Sequence, residues 1–341
     1  MITLGIETSC DDTAVALVRN GTEVLASVRI GQKDHASWGG VVPEIAARLH
    51  EKNMINALKK CLTDAKISTE KIDLIAVTQG PGLQTSLLIG TTMGSFLSLL
   101  WQKKIIAINH IFGHALSIFL DRHLEEIQYP ALVLTASGGH TALRLAKNLS
   151  QSQMLGHTID DACGEAFDKL AILLDLGYPG GPVVGEKAKK GDRNAIKFPR
   201  VYLAPDSLDF SFSGIKAFVQ RLISEEKKYK LLSEKFIADV CASFEQTVFY
   251  IFRKKLERAV KKFPEIKQIH FVGGVSANIF LRENLSVWSE ENGLKLLTPK
   301  KIEYNTDNAA MIAAAGFFEH QNNPNLAEKK FIEANCAMDR W

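Results

Sequence analysis

The first thirty residues alternate between apolar and polar positions in three short runs, at residues 2–8, 13–19 and 23–30. Period-two alternation of this length predicts β-strands that bury one face. Asn20 and Gly21 separate the second run from the third, and this dipeptide favours a two-residue type I′ turn. We therefore expect the chain to open with a meander of three antiparallel strands.

The spacing then changes to that of helices. Apolar residues recur every three or four positions over residues 43–65, which predicts an amphipathic helix. Buried strands are predicted at 72–78 and 105–109, and helices follow them at about 87–101 and 110–122. The order βββαβαβα is that of a ribonuclease-H-like unit, in which the meander forms one side of a mixed sheet.

The second half of the chain repeats this order of elements with insertions. Strands are predicted at 131–136, 140–146, 269–273 and 294–297, with helices between and after them. A polar, proline-terminated stretch at 125–130 marks the boundary between the halves. We expect an α/β protein with two related domains, residues 1–127 and 128–320, and a cleft between them. The C-terminal tail, residues 321–341, is expected to pack back on the first domain.

Length, charge and cysteine usage narrow the class of protein. The 341 residues suffice for two domains of ordinary size, and the formal net charge of +3 accommodates a nucleic-acid partner without requiring one. Five scattered cysteines without a CxxC pair indicate a reducing compartment and argue against a thiolate metal site. The N-terminus lacks signal-peptide features, and small and polar residues interrupt the apolar stretch at 87–101, so we expect a cytoplasmic protein without a membrane span.

Two strand-to-strand turns carry groups that bind phosphate or cations. The first, GIETSCDDT, places hydroxyls and carboxylates after the first strand, and Asp11 in this turn is suited to hold a cation or a water. The second, TASGGHT, has paired glycines that let a ligand approach the backbone amides. Taken alone, each segment is more typical of an ordinary hairpin turn with exposed polar groups.

His110 and His114 are four residues apart in a predicted helix, so their imidazoles share one face and can bind one metal ion. Asp307 heads another predicted helix and would add a carboxylate, a combination that suits iron first and zinc second. The alternative is a capping and a core histidine, with Asp307 as a helix cap. A zincin protease is disfavoured because Ile111 stands where the general-base glutamate would be.

Two further segments offer contacts to a ligand. IDDACGEAFDK places Asp168 on a charged helix face, and YPGGP, which contains Gly181, follows it, so a sugar could bind between them. FVGGVSAN runs from a strand through two glycines to a helix N-terminus, where unpaired N–H groups can receive a nucleotide. A solvated helix face is the alternative interpretation of Asp168.

Together these segments resemble one known family. GIETSCDDT, TQGPGL, NHIFGH, TASGGH, IDDACGEAFDK, YPGGP, LDFSFSG, GGVSAN and TDNAAMIAAAG follow one another in this chain. Their order resembles the bacterial TsaD family, the tRNA N6-adenosine threonylcarbamoyltransferases once described as O-sialoglycoprotein endopeptidases. The resemblance extends from residue 2 to about residue 316.

The resemblance implies an actin/hexokinase/Hsp70-type (ASKHA) fold of two ribonuclease-H-like domains. It implies transfer of the threonylcarbamoyl group from threonylcarbamoyl-AMP to N6 of adenosine 37, in tRNAs that read codons beginning with A. It also implies one divalent transition metal per subunit, held across the cleft by His110, His114 and Asp307, and we add Asp11 as the candidate for removing the N6 proton. The implied substrate contacts are Thr135, Ala136, Ser137, Gly138, Gly139, Asp168, Gly181 and Asn278.

Partners and departures complete the sequence-based hypothesis. The resemblance implies three partners: tRNA, an inactive paralogue, TsaB, and a P-loop ATPase, TsaE. The exposed apolar helix near 87–100 is a candidate paralogue interface, and cation clusters at 187–200 and 253–262 are candidate tRNA contacts.

The chain departs from the family pattern at a few positions. Phe112 and Asp12 each stand where many relatives have glutamate, and Gly185-Glu186 also differs from several relatives. A sugar or acetate kinase of the same fold, a protease and a tRNA-binding module remain the alternatives.

Overall fold

The computed structural model describes residues 1–32, 35, 40–149, 151–199, 204, 206–228, 231–328 and 331–336. The chain divides into two compact units, one formed by Met1–Ile127 with Pro299–Trp341 and the other by Gln128–Thr298. The first boundary coincides with the predicted one at residue 127. The second boundary lies at residue 298 and not at residue 320, so the last long helix belongs to the first unit.

Each unit contains a mixed sheet of five strands. In both, the first strand pairs antiparallel with the second and parallel with the fourth, which gives the same order of strands. The orders are β3-β2-β1-β4-β5 and β10-β9-β6-β7-β8. The strands are β1 (Ile2–Glu7), β2 (Asp12–Arg19), β3 (Glu23–Gly31), β4 (Leu74–Gly80), β5 (Lys104–Asn109), β6 (Ala131–Ala136), β7 (Thr141–Ala146), β8 (Ser152–His157), β9 (Gln268–Val272) and β10 (Lys295–Leu297).

Helices cover these sheets, and most lie where apolar spacing predicts them. They are α1 (Pro43–Ala65), α2 (Gln84–Trp101), α3 (His110–Leu116), α4 (Cys163–Leu173), α5 (Gly180–Ala188), α6 (Ser213–Lys227), α7 (Glu234–Lys262), α8 (Ile279–Glu291) and α9 (Ala309–Asn322). The predicted turn between β2 and β3 is confirmed, with φ of +51° at Asn20 and +71° at Gly21. In the described part of the chain, no helix is long and apolar enough to cross a membrane.

Helix α9 explains the corrected boundary. It packs on β1, β2 and β4 of the first sheet. The close approach requires Gly5 of β1, because a Cβ atom there would lie only 2.1 Å from the carbonyl oxygen of Ala309 in α9. Its Ala309, Ala313 and Ala314 are fully buried, and the burial of these methyl groups holds the 299–322 segment to the first sheet.

Two differences from the predicted elements have local causes. The helix predicted at 110–122 ends at Leu116 and continues as a 3₁₀ turn, Ser117–Phe119. Strand β8 has no counterpart among the predicted strands, because it lies at the edge of the sheet, where three of its six residues are exposed and only Gly156 is buried. Residues 210–212, for which no helix or strand is predicted, form neither, yet Phe210 and Phe212 are fully buried against Phe252 in the core of the second unit.

Candidate functional site

In the first unit, two histidines lie at the point where β5 passes into α3. Strand β5 ends at Asn109, whose side-chain oxygen accepts a hydrogen bond from the N–H of Phe112 at 3.0 Å and so caps the helix. The cap fixes the first turn, and His110 and His114 then lie on one helix face with ring centroids 4.7 Å apart. Phe112 is buried and is part of the apolar packing of the first unit.

Asp307 completes a cluster with these two histidines. It directly precedes Asn308, which caps α9 by accepting a hydrogen bond from the N–H of Met311 at 2.9 Å. Its Oδ1 lies 3.5 Å from Nε2 of His110 and 3.2 Å from Nε2 of His114. The three ligand atoms lie within 4.8 Å of one another, a spacing at which they could hold one metal ion.

The cluster belongs to one unit, which corrects the expectation that its ligands come from two domains. His110 and His114 precede residue 127, and Asp307 returns to the same unit after residue 299. The carboxylate was assigned to the second domain because it follows the second set of strands in sequence. Because α9 packs on the first sheet, Asp307 lies in the first unit despite its late position in the sequence.

Glu7, at the end of β1, is a buried carboxylate beside the cluster. Its Oε2 accepts a hydrogen bond from the hydroxyl of Thr78 at 2.6 Å and lies 3.1 Å from Nδ1 of His110. Its Oε1 accepts one from the N–H of Ser9 at 2.5 Å, and the Ser9 hydroxyl also lies 3.1 Å from that imidazole nitrogen. The Nδ1 side of the ring is thus held by Glu7, and the Nε2 side faces Asp307.

Electrostatics around His110 favour positive charge. Burial disfavours the imidazolium, but the carboxylates of Glu7 and Asp307 outweigh burial and raise the pKa of His110 to about 9. Burial likewise opposes ionisation of Glu7, yet the charge and hydrogen bond of His110 lower its pKa. The same negative field would attract a bound cation in place of the proton.

His114 differs from His110 in that burial outweighs its interactions with the carboxylates of Asp307 and Glu7. It is fully buried, and within the described residues neither of its ring nitrogens has a hydrogen-bond partner, although Nε2 lies 3.2 Å from Asp307. Burial lowers the pKa of His114, which keeps the ring neutral and its nitrogens able to bind a metal. A buried imidazole without a partner is costly, and a metal ion at Nε2 would satisfy it. The residues present therefore fit a metal.

The turn after β1 carries Asp11, the candidate base. It lies two residues beyond Ser9, which contacts His110, and it is partly exposed. Its neighbour Asp12 is 3.4 Å from Arg29, and burial raises the pKa of Asp12 to about 7 despite that cation. Arg29 also donates a hydrogen bond of 2.7 Å to the hydroxyl of Thr306, next to Asp307 in the chain, and so joins the two loops of the site.

In the second unit, the predicted glycine turn follows β6. Thr135, Ala136 and Ser137 are buried, whereas Gly138 and Gly139 are exposed, and a Cβ atom on either glycine would meet nothing within 4 Å. The turn is closed by a hydrogen bond of 2.8 Å from the N–H of Ser137 to the carbonyl of residue 140. The backbone at the two glycines is therefore accessible to a ligand.

Helices α4 and α5 meet beside this turn. The carbonyl oxygens of Ser137 and Gly138 accept hydrogen bonds from the first amides of α4. Asp168 lies on one side of α4, and its Oδ1 accepts a hydrogen bond of 2.7 Å from the N–H of Gly180 at the start of α5. Asp168 therefore holds the glycine pair, which differs from its interpretation as a solvated charge, and a Cβ atom at Gly181 would meet nothing within 4 Å.

Asn278 lies where the chain leaves β9 and enters α8. Its Oδ1 caps the helix by accepting a hydrogen bond of 3.0 Å from the N–H of Leu281, and its Nδ2 donates to Glu245 Oε1 at 2.5 Å. Gly273, the residue directly after β9, has φ of +88°, and a Cβ atom there would lie 2.5 Å from the carbonyl oxygen of Ala136. This packing brings the ends of β6 and β9 together.

Sequence reasoning missed three carboxylates. Glu7 and Glu245 are almost fully buried, and Asp160 accepts hydrogen bonds from two backbone amides and two hydroxyls at the start of α6. A charged residue inside an otherwise apolar strand or helix face is the signal that could have identified the first two. Asp160 lies in the IDDACGEAFDK segment described above, but the residues that donate hydrogen bonds to it, 211–213, lie about fifty positions later in the sequence.

Comparison with known proteins shows which family this chain matches. The family TsaD, described as tRNA N6-adenosine threonylcarbamoyltransferase, matches residues 23–314. The protein of that name from Thermosipho africanus is 44% identical over 93% of this chain and 94% of its own length. The one from Rickettsia massiliae is 41% identical over 99% of this chain and 97% of its own length.

Solved structures of distant sequence share the fold. HypF from T. kodakarensis superposes with a TM-score of 0.61 at 13% identity, covering 97% of this chain and 49% of that protein. Component A of (R)-2-hydroxyglutaryl-CoA dehydratase from Acidaminococcus fermentans gives a TM-score of 0.52 at 14% identity, covering 94% and 99%. These similarities confirm the predicted actin/hexokinase-like (ASKHA) α/β fold and carry no statement about activity.

Proposed function

The chain belongs to the TsaD family of tRNA N6-adenosine threonylcarbamoyltransferases, enzymes that modify tRNA, and we propose that it uses threonylcarbamoyl-AMP as donor and N6 of adenosine 37 as acceptor. The acceptor tRNAs would be those that read codons beginning with A, and the compartment would be the cytoplasm. The observation that carries the proposal is the buried cluster of His110, His114 and Asp307, a set of ligands that a sugar or acetate kinase would not need.

We propose that His110, His114 and Asp307 hold one divalent transition metal, iron first and zinc second. Such an ion would supply Lewis acidity to the carbamoyl or phosphate oxygens of the substrate. Glu7 would orient His110 so that Nε2 faces the ion, and the caps at Asn109 and Asn308 would fix the helices that carry the ligands.

We propose that the glycine turns of the second unit bind the adenylate. The accessible backbone at Gly138 and Gly139 suits a phosphate or a carbamoyl oxygen, because amides there offer fixed hydrogen-bond donors. Thr135, Ala136 and Ser137 would shape this turn. Asp168, which holds the N–H of Gly180, and Gly181 would form the opposite side, and Asn278 a third contact. The predicted substrate contacts thus all lie on turns at the ends of β6 and β9 or on the helices that begin there.

The chemical step is an acyl-type transfer with AMP as the leaving group. The N6 amine attacks the carbamoyl carbon, the new C–N bond forms, and the C–O bond to the phosphate breaks. The N6 proton must leave, and Asp11 is the proposed acceptor because it is partly exposed on the turn that also bears Ser9. Holding the amine and the activated carbon in contact supplies much of the rate.

The partner proteins also remain proposals. Helix α2 leaves Leu88, Phe96, Leu99 and Leu100 more than half exposed, although its other face is buried. An apolar stripe of this kind on a helix is suited to bind another protein, and we propose the paralogue TsaB as its occupant. The P-loop ATPase TsaE is carried over from the family resemblance alone.

In the two cation clusters proposed as tRNA contacts, several side chains are already neutralised by ion pairs with glutamates. Lys187, Lys189 and Arg193 form ion pairs with nearby glutamates, and Arg253 and Lys254 share one glutamate. Arg200 lies outside the described residues. Since phosphate contacts dominate affinity for tRNA, we expect the cations at 190 and 197 to matter more than the paired ones.

Reconstitution tests the proposal. Purified protein with the proposed partners, unmodified tRNA and threonylcarbamoyl-AMP should yield the modified adenosine, detected by mass spectrometry of the digested nucleosides. A parallel reaction with ATP and small sugars or acetate tests the kinase alternative. Absence of the modified nucleoside with all components present, together with phosphorylated product in the parallel reaction, would overturn the proposed function.

A further inference from the structure

Helix α7 contains a carboxylate in an unusual environment. Glu245 is 2% exposed and lies on the buried face of a helix whose neighbouring positions are phenylalanines and small residues. Burying a charge is costly unless it is paired and hydrogen-bonded. Glu245 has such partners on both oxygens: Asn278 Nδ2 lies 2.5 Å from Oε1, and an Arg193 terminal nitrogen lies 2.9 Å from Oε2.

The amide of Asn278 is held in a single orientation by this arrangement. A carboxylate only accepts hydrogen bonds, so the atom facing Glu245 must be the nitrogen, and the N–H of Leu281 must face the oxygen. One of the two amide hydrogens is used by Glu245. Among the residues that the structure describes, no second acceptor binds this nitrogen, so the other hydrogen can bind a ligand that offers an acceptor.

Helix α5 passes beside this pair. A Cβ atom at Gly185 would lie 3.6 Å from both Asn278 Nδ2 and Glu245 Oε1, which is an ordinary van der Waals contact. Because Gly185 has no side chain, this contact is not made, and Asn278 stays partly exposed. Gly181 in the same helix and Gly274 before α8 also have open space where a side chain would be.

Arg193 neutralises Glu245 from the opposite oxygen. Its guanidinium stacks on the ring of Phe280 at 3.5 Å from the centroid. The loop that carries it is fixed to α7: Gly191 is packed on the carbonyl of Ala238, and the Ser243 hydroxyl binds the 192–196 segment. Arg193 is thus bound in the protein and is a poor candidate for contacting tRNA phosphates.

We propose that Glu245 is a positioning residue for the carbamoyl donor, which it serves by fixing the Asn278 amide so that one N–H is presented to the adenylate. The inference rests on the proposed adenylate site of the second unit. Without the carboxylate, only the hydrogen bond from the N–H of Leu281 orients the amide, so Nδ2 can turn about the capped oxygen and presents its N–H less often. Glu245 itself does not touch the substrate.

Calorimetry with a non-hydrolysable threonylcarbamoyl-adenylate analogue tests this inference on the full chain. We expect Glu245→Leu and Asn278→Ala each to weaken binding about tenfold, in line with loss of one charge-assisted hydrogen bond. The double variant should bind no more weakly than Asn278→Ala, because both changes remove the same hydrogen bond from the Asn278 amide to the ligand. Glu245→Gln keeps an acceptor for Asn278 and should stay within about threefold of the wild type.

Controls separate this inference from the proposed function and from misfolding. Glu257→Leu removes another arginine-paired glutamate from the same helix and should leave the affinity unchanged. If Glu245→Leu does not fold, Glu245→Asp keeps the charge but withdraws it from Asn278, and the same loss is expected. Unchanged affinity of the folded Glu245 variants, or losses that add in the double variant, would overturn the role of Glu245. A wild-type protein that does not bind the analogue would instead refute the proposed site.

Discussion

The two units have the same order of strands, but they use the end of the first strand differently. In the first unit, β1 ends at the buried acid Glu7, whose carboxylate lies against His110. In the second unit, the equivalent strand β6 ends at Ala136, and two exposed glycines follow it. One unit thus presents ionisable side chains at this position, and the other presents backbone.

The difference shows how one topology can supply two kinds of binding site. Strand ends that lie at one edge of a sheet bring loops together whatever their sequence, so the residues after each strand decide the chemistry. Charged side chains gathered in a buried cluster suit a cation. Glycine turns with accessible amides suit an anion or a carbonyl oxygen.

The largest effect is expected when the histidine cluster is removed. His110→Ala with His114→Ala should abolish stoichiometric metal binding, measured by elemental analysis of protein purified without chelator, because Asp307 alone cannot hold the ion. Asp168→Ala in the second unit should keep the metal and weaken binding of the adenylate analogue. Full metal content in the double histidine variant would refute the cluster as the metal site.

Loss of the Glu7 charge should have a smaller effect on the same site. Glu7→Gln keeps the shape of the side chain but replaces the carboxylate that holds Nδ1 of His110. Partners of this kind typically contribute 10–100-fold to metal affinity, so we expect a loss of about that size in a competitive chelator titration. Thr78→Val removes only the hydroxyl that binds Glu7 and should cost less. Equal affinity of Glu7→Gln and the wild type would show that the ring orientation is set by helix α3 alone.

A matched pair of glycines separates folding from binding in the second unit. Gly273→Ala should lower the free energy of unfolding by about 1–3 kcal/mol, because φ is +88° and the new methyl group would meet the Ala136 carbonyl. Gly138→Ala has open space, so its unfolding free energy should stay within about 0.5 kcal/mol of the wild type. Its methyl group should nevertheless weaken analogue binding. The opposite ranking in denaturant titrations would contradict the assigned packing.

Much of the fold could be predicted because local patterns and tertiary packing agree in it. The meander, its Asn20-Gly21 turn and most helices follow from periodicity and turn chemistry. The position of α9 did not follow, since a small-residue helix has no strong apolar face and the strands of its partner sheet lie far earlier in the sequence, within residues 2–109. Strand β8 was missed for the related reason that an exposed edge strand carries little hydrophobic signal.

The site was predictable only where one short segment carries it. His110 and His114 share a helix turn, so their spacing predicts the shared face; Asp307, at the head of another predicted helix, was only one possible third ligand until the family resemblance supported it. The roles of Glu7 and Glu245 depend on contacts between residues 103 and 33 positions apart, which no local pattern encodes. Asp168 was interpreted from its charge, whereas its contact with the Gly180 amide requires the packed helices.

The smallest effect concerns an acid of the second unit that binds only backbone amides and hydroxyls, whereas Glu7 also lies against an imidazole. Asp160 receives hydrogen bonds from the N–H groups of Phe212 and Ser213 and from the hydroxyls of Ser211 and Ser213. Partial burial opposes ionisation, but these four bonds outweigh burial and lower the pKa of Asp160 below its ordinary value of 3.8. Asp160→Asn should therefore destabilise the fold at neutral pH by about 1 kcal/mol, at the low end for charged hydrogen bonds because the residue is exposed to solvent.

The pH dependence of stability distinguishes a role of the Asp160 charge from a role of the shape of its side chain. A carboxyl group with a lowered pKa in the folded state stabilises the fold fully above its ordinary pKa, and the stabilisation is lost as the pH falls through the folded-state pKa. The unfolding free energies of wild type and Asp160→Asn should thus differ by a constant amount between pH 6 and 8 and converge below about pH 4. Glu291→Gln, a change at an exposed carboxylate at the end of α8, should show almost no difference at neutral pH. A gap for Asp160→Asn that persists unchanged into acid would mean that the side chain acts through its shape, not through its charge on the start of α6.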